Sequence, residues 1–68
     1  MDIDIRKAVL NNIKGSTEAE FRETIEDAVR SGEEKMLPGL GVLFEVAWNH
    51  FDEAGRQSVL KTLSSSSQ

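Results

Sequence analysis

Few side chains in this sequence could take part in chemistry. Its 68 residues include one histidine, His50, and no cysteine. Zinc sites take three or four ligands from histidine, cysteine and carboxylate side chains, and a lone histidine does not match that pattern. Serines are numerous, but no strand–turn–helix motif presents one as a nucleophile. We therefore predict that the protein is not an enzyme and holds no metal or cofactor, and that His50 favours the negative end of a helix.

Glu45 is the one acidic residue in the apolar segment at residues 36–51, which has no lysine or arginine. Removing a carboxylate from water is costly unless the group is paired or its pKa shifts. Two placements remain open. Glu45 could share a solvated helix edge with Asn49 and Asp52, or it could pair with a cation across an interface.

The end of the sequence allows a second function to be considered. Arg56, Gln57 and Lys61 are of types that reach phosphates and base edges in nucleic-acid complexes. However, 12 acidic and 8 basic residues leave a net charge of −4, whereas nucleic-acid-binding domains usually present a basic patch. DNA binding through the last helix is therefore the alternative function, and nucleic acid is not the expected partner.

Four helices are predicted from apolar spacing and end signals. The first covers about residues 4–14, where Ile5, Val9 and Ile13 recur every four residues, and Gly15 is suited to end it. The second begins at a capping box of Thr17 and Glu20. It ends at the Ser-Gly pair at residues 31–32, and the last helix covers about residues 53–63 behind Asp52 as its N-cap.

The third helix is apolar in nearly every direction from Pro38 onward, which is typical of a buried helix. We expect it to be central, with the other helices packed around it. Its candidate core or interface residues are Met36, Leu37, Leu40, Leu43, Phe44, Ala47 and Trp48. If one chain cannot cover this helix, the remaining apolar surface would seek a partner, and a symmetric homodimer is one way to satisfy it.

The expected architecture is all-α, a small compact bundle of three or four short helices around the central apolar helix. Residues 1–63 form the predicted helical domain, and residues 64–68, SSSSQ, are expected to be a disordered polar tail.

The start of the chain lacks the basic and apolar regions of a signal peptide. No apolar stretch reaches the roughly 20 residues of a membrane span, so we expect a soluble protein with no membrane partner.

Two segments resemble a known family. Residues 31–48, SGEEKMLPGLGVLFEVAW, and the opening MDIDIRKAVLNNIKG are similar to the type I small acid-soluble spore proteins of endospore-forming bacteria. The resemblance covers most of the chain, and the variable part begins at about His50.

The resemblance implies a minor protein that is made in the forespore and found in the spore core. It implies no reaction, cofactor or small-molecule substrate. The expected function is a non-enzymatic structural or protein-interaction role, with a second copy or an unidentified spore protein as the partner. The glycine- and asparagine-rich DNA-binding signature of the major α/β-type spore proteins is absent from this sequence.

Overall fold

Short turns join four α-helices between residues 2 and 67. A computed structural model describes the backbone of residues 2–67 and the side chains of residues 5–67. No β-strand occurs between residues 2 and 67, which confirms the all-α prediction. The helices are α1 at Asp2–Asn12, α2 at Glu18–Ser31, α3 at Leu37–His50 and α4 at Glu53–Ser66, and a single 3-10 turn at Glu34–Met36 precedes α3.

Both ends of α2 follow the local sequence. The backbone amide of Glu20 donates to Thr17 Oγ1 at 3.1 Å, and the amide of Thr17 donates to Glu20 Oε1 at 2.9 Å. This reciprocal pair is the predicted capping box, and it satisfies two amides that lack partners within the helix. At the other end Gly32 has φ of 66°, in the left-handed region that favours glycine.

Helix α1 ends earlier than predicted, at Asn12 rather than at residue 14. Ile13 still donates its amide to the Val9 carbonyl at 3.1 Å, and Ser16 donates to the Ile13 carbonyl at 3.0 Å. Gly15 has φ of 80°, so the predicted terminating glycine is confirmed. The chain reverses over this turn and enters α2.

Helix α3 forms the centre of the bundle, with Pro38 in its first turn as predicted. It packs most extensively along α1, shares an apolar groove with α1 and α2, and is joined to α4 by hydrogen bonds. Val42 is 8% exposed, and every other side chain described between residues 5 and 67 is more exposed. The prediction that α3 is buried on nearly all sides is therefore wrong, because Leu37 and Phe44 expose 60% and 46% of their surface.

The incomplete burial of α3 reflects an open arrangement of the helices. The radius of gyration is 13.0 Å, compared with about 11 Å for a compact domain of this length. The accessible surface is 5766 Å², whereas a folded monomer of this mass exposes about 4,300 Å². Within residues 2–67, no helix combines the length and hydropathy needed to cross a bilayer.

Helix α4 begins as predicted, since Asp52 accepts the Gly55 amide at 2.8 Å through Oδ1. Its end differs from the prediction. The helix continues to Ser66, whereas the sequence predicted a disordered tail from residue 64. The amide and the Oγ of Ser67 both donate to the Leu63 carbonyl, at 3.2 and 2.9 Å. The boundary of the helical domain at residue 63 stays a prediction.

Candidate interaction surface

An open apolar groove lies between α3 and α4. We call it the α3–α4 groove, and it is lined by Phe44, Glu45, Trp48, Leu60 and Leu63. Phe44, Leu60 and Leu63 expose 46%, 49% and 56% of their surface. Covering such side chains contributes about 25 cal/mol per Å² of apolar area removed from water. The groove therefore offers binding free energy that the single chain leaves unused.

Helical spacing brings the lining residues together. Phe44 and Trp48 are four residues apart on α3, and Leu60 and Leu63 are three apart on α4, so each pair lies on one helix face. The ring centroids of Phe44 and Trp48 are 5.9 Å apart and their planes are tilted by 34°, a favourable aromatic arrangement. The groove thus has an aromatic wall on α3 and a leucine wall on α4.

Arg56 holds the two walls together. Its Nε and Nη2 atoms donate to the Trp48 carbonyl oxygen at 3.1 and 3.0 Å. Its guanidinium carbon lies 5.2 Å from the centroid of the Trp48 ring, within range of a cation–π interaction. The carbonyl belongs to the last turn of α3, where helix carbonyls lack amide partners. Arg56 therefore caps α3 and anchors the first turn of α4.

Glu45 forms a two-bond ion pair with Arg6 of α1. Arg6 Nε donates to Oε1 at 2.7 Å, and Nη2 donates to Oε2 at 3.1 Å. The hydrogen bonds from Arg6 lower the pKa of the Glu45 carboxyl below its ordinary value; partial desolvation opposes the shift, and the positive charge of Arg6 adds to it. The pair links α1 to α3, and Glu45 is one of the residues that line the α3–α4 groove.

The two placements of Glu45 left open by the sequence are now resolved. Both side chains of the pair are about half exposed, 48% for Arg6 and 46% for Glu45. Glu45 therefore lies on a solvated edge of α3 and also has a cationic partner, and that partner belongs to the same chain. Sequence spacing gave no signal for this pair, because 39 residues separate its members.

A second apolar groove lies between α1, α2 and α3. Its apolar lining consists of Val9, Ile13, Ala28, Met36, Leu40 and Leu43. Most of these side chains are half-buried, so this inner groove is a loosely filled core. The structure thus divides the seven candidate residues: Met36, Leu40 and Leu43 line the inner groove, and Phe44 and Trp48 line the α3–α4 groove. Leu37 is exposed and Ala47 is half-buried, and their role as core or interface stays a prediction.

The residues considered for nucleic-acid contact have different surroundings. Arg56 is held by Trp48, Gln57 Nε2 donates to Glu53 Oε2 at 3.4 Å, and Lys61 is exposed. Their use in binding DNA stays a prediction, and the engagement of Arg56 does not favour it.

Sequence reasoning missed the structural role of Arg56. The one available signal was its position eight residues after an aromatic residue, across a helix–turn–helix junction.

His50 lies at the C-terminal end of α3, as predicted. Its Nδ1 is 2.9 Å from the Val46 carbonyl oxygen, four residues earlier in the same helix. In the part of the chain that the structure describes, no group of three or more histidine, aspartate or glutamate side chains could hold a metal ion.

Comparison with known proteins identifies the family of this sequence. Residues 3–66 match the family described as "Small, acid-soluble spore protein I". A protein of that name from Bacillus cytotoxicus is 59% identical over 63 residues, which cover 93% of this chain and 90% of the relative. The relative of that name from Bacillus subtilis (strain 168) is 54% identical over 63 residues, 93% of this chain and 89% of the relative. No solved structure matches the chain. The resemblance is therefore confirmed, and the chain belongs to the small, acid-soluble spore protein I family.

Proposed function

We propose that this chain is a non-enzymatic protein of the bacterial spore that works through contacts with other protein surfaces. It is made in the forespore during sporulation and lies in the spore core. Membership of a family named for spore proteins supports the cellular setting. The exposed apolar α3–α4 groove is the observation that supports a role in protein contacts.

The amount of exposed surface supports an interaction role. The chain exposes 5766 Å², which exceeds the expectation for a folded monomer of its mass by about 1,500 Å². Three large apolar side chains of the α3–α4 groove are among those exposed. Contiguous apolar patches of this kind mark interaction sites more often than scattered exposed residues do.

The non-enzymatic part of the proposal rests on how the polar side chains are used. His50 contacts a helix-end carbonyl, Arg56 caps α3, and Glu45 is paired with Arg6. Each of these groups is engaged by another part of the same chain. The description of the family names a physical property and a location rather than a reaction.

Cell fractionation tests the cellular setting. An antibody against the chain is expected to detect it in the forespore of sporulating cells. In purified spores that have been stripped of their coats and broken, it should detect the chain in the core fraction. A strain that lacks the gene controls for antibody specificity. Detection in the mother cell, in the coat fraction, or equally in growing cells would contradict the proposal.

Site-specific crosslinking tests the interaction role within spores. A photoreactive residue in place of Phe44 is expected to form protein adducts on irradiation. The same residue in place of Val29, which is 65% exposed on α2 and does not line the groove, is the matched control. Adducts from the Phe44 position and few from the Val29 position would support contacts through the groove. An absence of adducts from both positions would count against them.

Native mass spectrometry tests the non-enzymatic part. The purified chain is expected to have the mass of the polypeptide, or a whole multiple of it, with no added group. A stoichiometric metal ion or organic cofactor that is lost on denaturation would contradict this part of the proposal.

A further inference from the structure

We propose that the α3–α4 groove binds a second copy of this chain, so that two chains form a closed, two-fold symmetric dimer. This inference rests on the proposed interaction role, and it names the partner. In the dimer, Leu60 and Leu63 of each copy pack against Phe44 and Trp48 of the other.

The chain as a whole exposes enough surplus surface for such a dimer. A standard stable interface buries about 800 Å² on each partner. The accessible surface of 5766 Å² exceeds that of a typical folded monomer by about 1,500 Å², so one such interface would remove about half of the excess. The α3–α4 groove contains three of the most accessible large apolar side chains among those described, Phe44, Leu60 and Leu63.

The charge distribution permits two identical acidic chains to meet at this groove. Each chain carries a net charge of −4, but seven of its 12 acidic residues lie between residues 18 and 34, on α2 and the turn after it. From residue 57 to the end of the chain, Lys61 is the one charged side chain. The leucine wall of the groove therefore lies on the part of the chain that is poorest in acidic residues.

The charge of Glu45, the one acidic residue that lines the groove, is already paired. Glu45 accepts two hydrogen bonds from Arg6 at 2.7 and 3.1 Å. Like charges brought together at an interface suppress association, and an unpaired Glu45 on each copy would have this effect. The Arg6 partner removes that obstacle within each chain.

The shape of the groove favours self-association in a closed form. In a two-fold interface the same patch is used on both subunits, so it must contain complementary halves. The aromatic wall on α3 and the leucine wall on α4 supply two different apolar surfaces, so each can face the other wall of a second copy. A closed pair leaves no copy of this patch free to extend into a filament.

Light scattering over a dilution series of the full chain tests the dimer. The expected result is twice the chain mass of 7.6 kDa at high concentration and a fall toward the chain mass on dilution. A constant mass of 7.6 kDa at all concentrations would overturn the dimer. An assembly that keeps growing with concentration would overturn its closed two-fold form. Either result leaves the spore setting intact, because fractionation tests that part separately.

Charged substitutions locate the interface. Leu60→Glu and Leu63→Glu are each expected to weaken dimerisation about tenfold or more, the size of effect seen at central interface positions. Both positions are about half exposed on α4, so the helical circular dichroism of each monomer should be retained. Val29→Glu introduces the same charge on α2 and is expected to leave the dissociation constant unchanged. An equal loss in all three variants, or a loss in Val29→Glu alone, would overturn the assignment to this groove.

Discussion

Arg56 and the Trp48 carbonyl are joined by two hydrogen bonds of 3.1 and 3.0 Å, with the guanidinium 5.2 Å from the Trp48 ring centroid. A charged side chain thereby caps α3, and the same side chain fixes the start of α4. The geometry needs a planar group with two adjacent donors that converge on one oxygen, which arginine has and lysine lacks.

Loss of the Arg56 side chain should therefore separate α4 from α3. Arg56→Gln is expected to lower the free energy of unfolding by about 1.5–3 kcal/mol, the usual range for hydrogen bonds to a charged group. Arg56→Lys should recover only a small part of the loss. Urea unfolding followed by the fluorescence of Trp48, the only tryptophan in the chain, measures the effect. Lys61→Gln removes the same charge from the same helix and should have little effect. Wild-type stability in Arg56→Lys would show that the paired donors are unimportant.

The capping box at the start of α2 predicts a second stability effect. Thr17→Ala removes the acceptor of the Glu20 amide and should cost about 1 kcal/mol, as loss of an N-cap usually does. Thr24→Ala is the matched control, because it makes the same chemical change within α2. That control should be neutral or slightly stabilising, since alanine has the higher helix propensity. Thermal unfolding by circular dichroism compares the two variants, and equal losses would argue against the cap.

Alanine substitution at two glycines should change the free energy of unfolding in opposite directions. Gly32 has φ of 66°, and an alanine there should lower the free energy of unfolding by about 1–2 kcal/mol because its Cβ disfavours the left-handed region. Gly41 lies within α3, and a Cβ built on it meets nothing within 4 Å. Gly41→Ala should therefore raise the free energy of unfolding by about 0.5–1 kcal/mol. The urea unfolding midpoints of both variants and the wild type, measured in parallel, show the direction of each change. Destabilisation by Gly41→Ala would mean that the space beside it is filled in solution.

The ion pair between Arg6 and Glu45 predicts a pH dependence with a definite sign. Arg6 lowers the pKa of Glu45 in the folded chain, so the folded state favours the ionised carboxyl. The stabilisation is therefore present when the pH is above the ordinary glutamate pKa of about 4.3. It disappears as the pH falls through the lowered pKa of Glu45 in the folded state. The stability difference between wild type and Glu45→Gln should be greatest near neutral pH and should vanish in acid.

Titration of the Glu45 carboxyl by nuclear magnetic resonance checks the cause of that dependence. In Arg6→Gln the pKa of Glu45 should return toward its ordinary value. Arg6 makes a further interaction besides this pair, so the double variant Arg6→Gln/Glu45→Gln is needed to isolate the coupling between the two side chains. An unchanged Glu45 pKa in Arg6→Gln would show that Arg6 does not cause the shift.

Much of the secondary structure was predictable from residues close together in sequence. Thr17 with Glu20, Gly32, Pro38 and Asp52 each mark a helix end in the way that the sequence indicated. Their chemistry acts over three or four residues, so it does not depend on the rest of the fold. Helix α4 continues to Ser66, beyond its predicted end at residue 63, because a polar composition alone does not show where the backbone hydrogen bonds of a helix stop.

The sequence by itself determined the family, the four helices and most of their ends. Only the tertiary structure decided which apolar side chains remain exposed, which cation pairs with Glu45, and that Arg56 caps α3. Those outcomes depend on how the helices pack in three dimensions. The pairing of Arg6 with Glu45 spans 39 positions, and no periodicity within a single helix carries information about a contact between two helices.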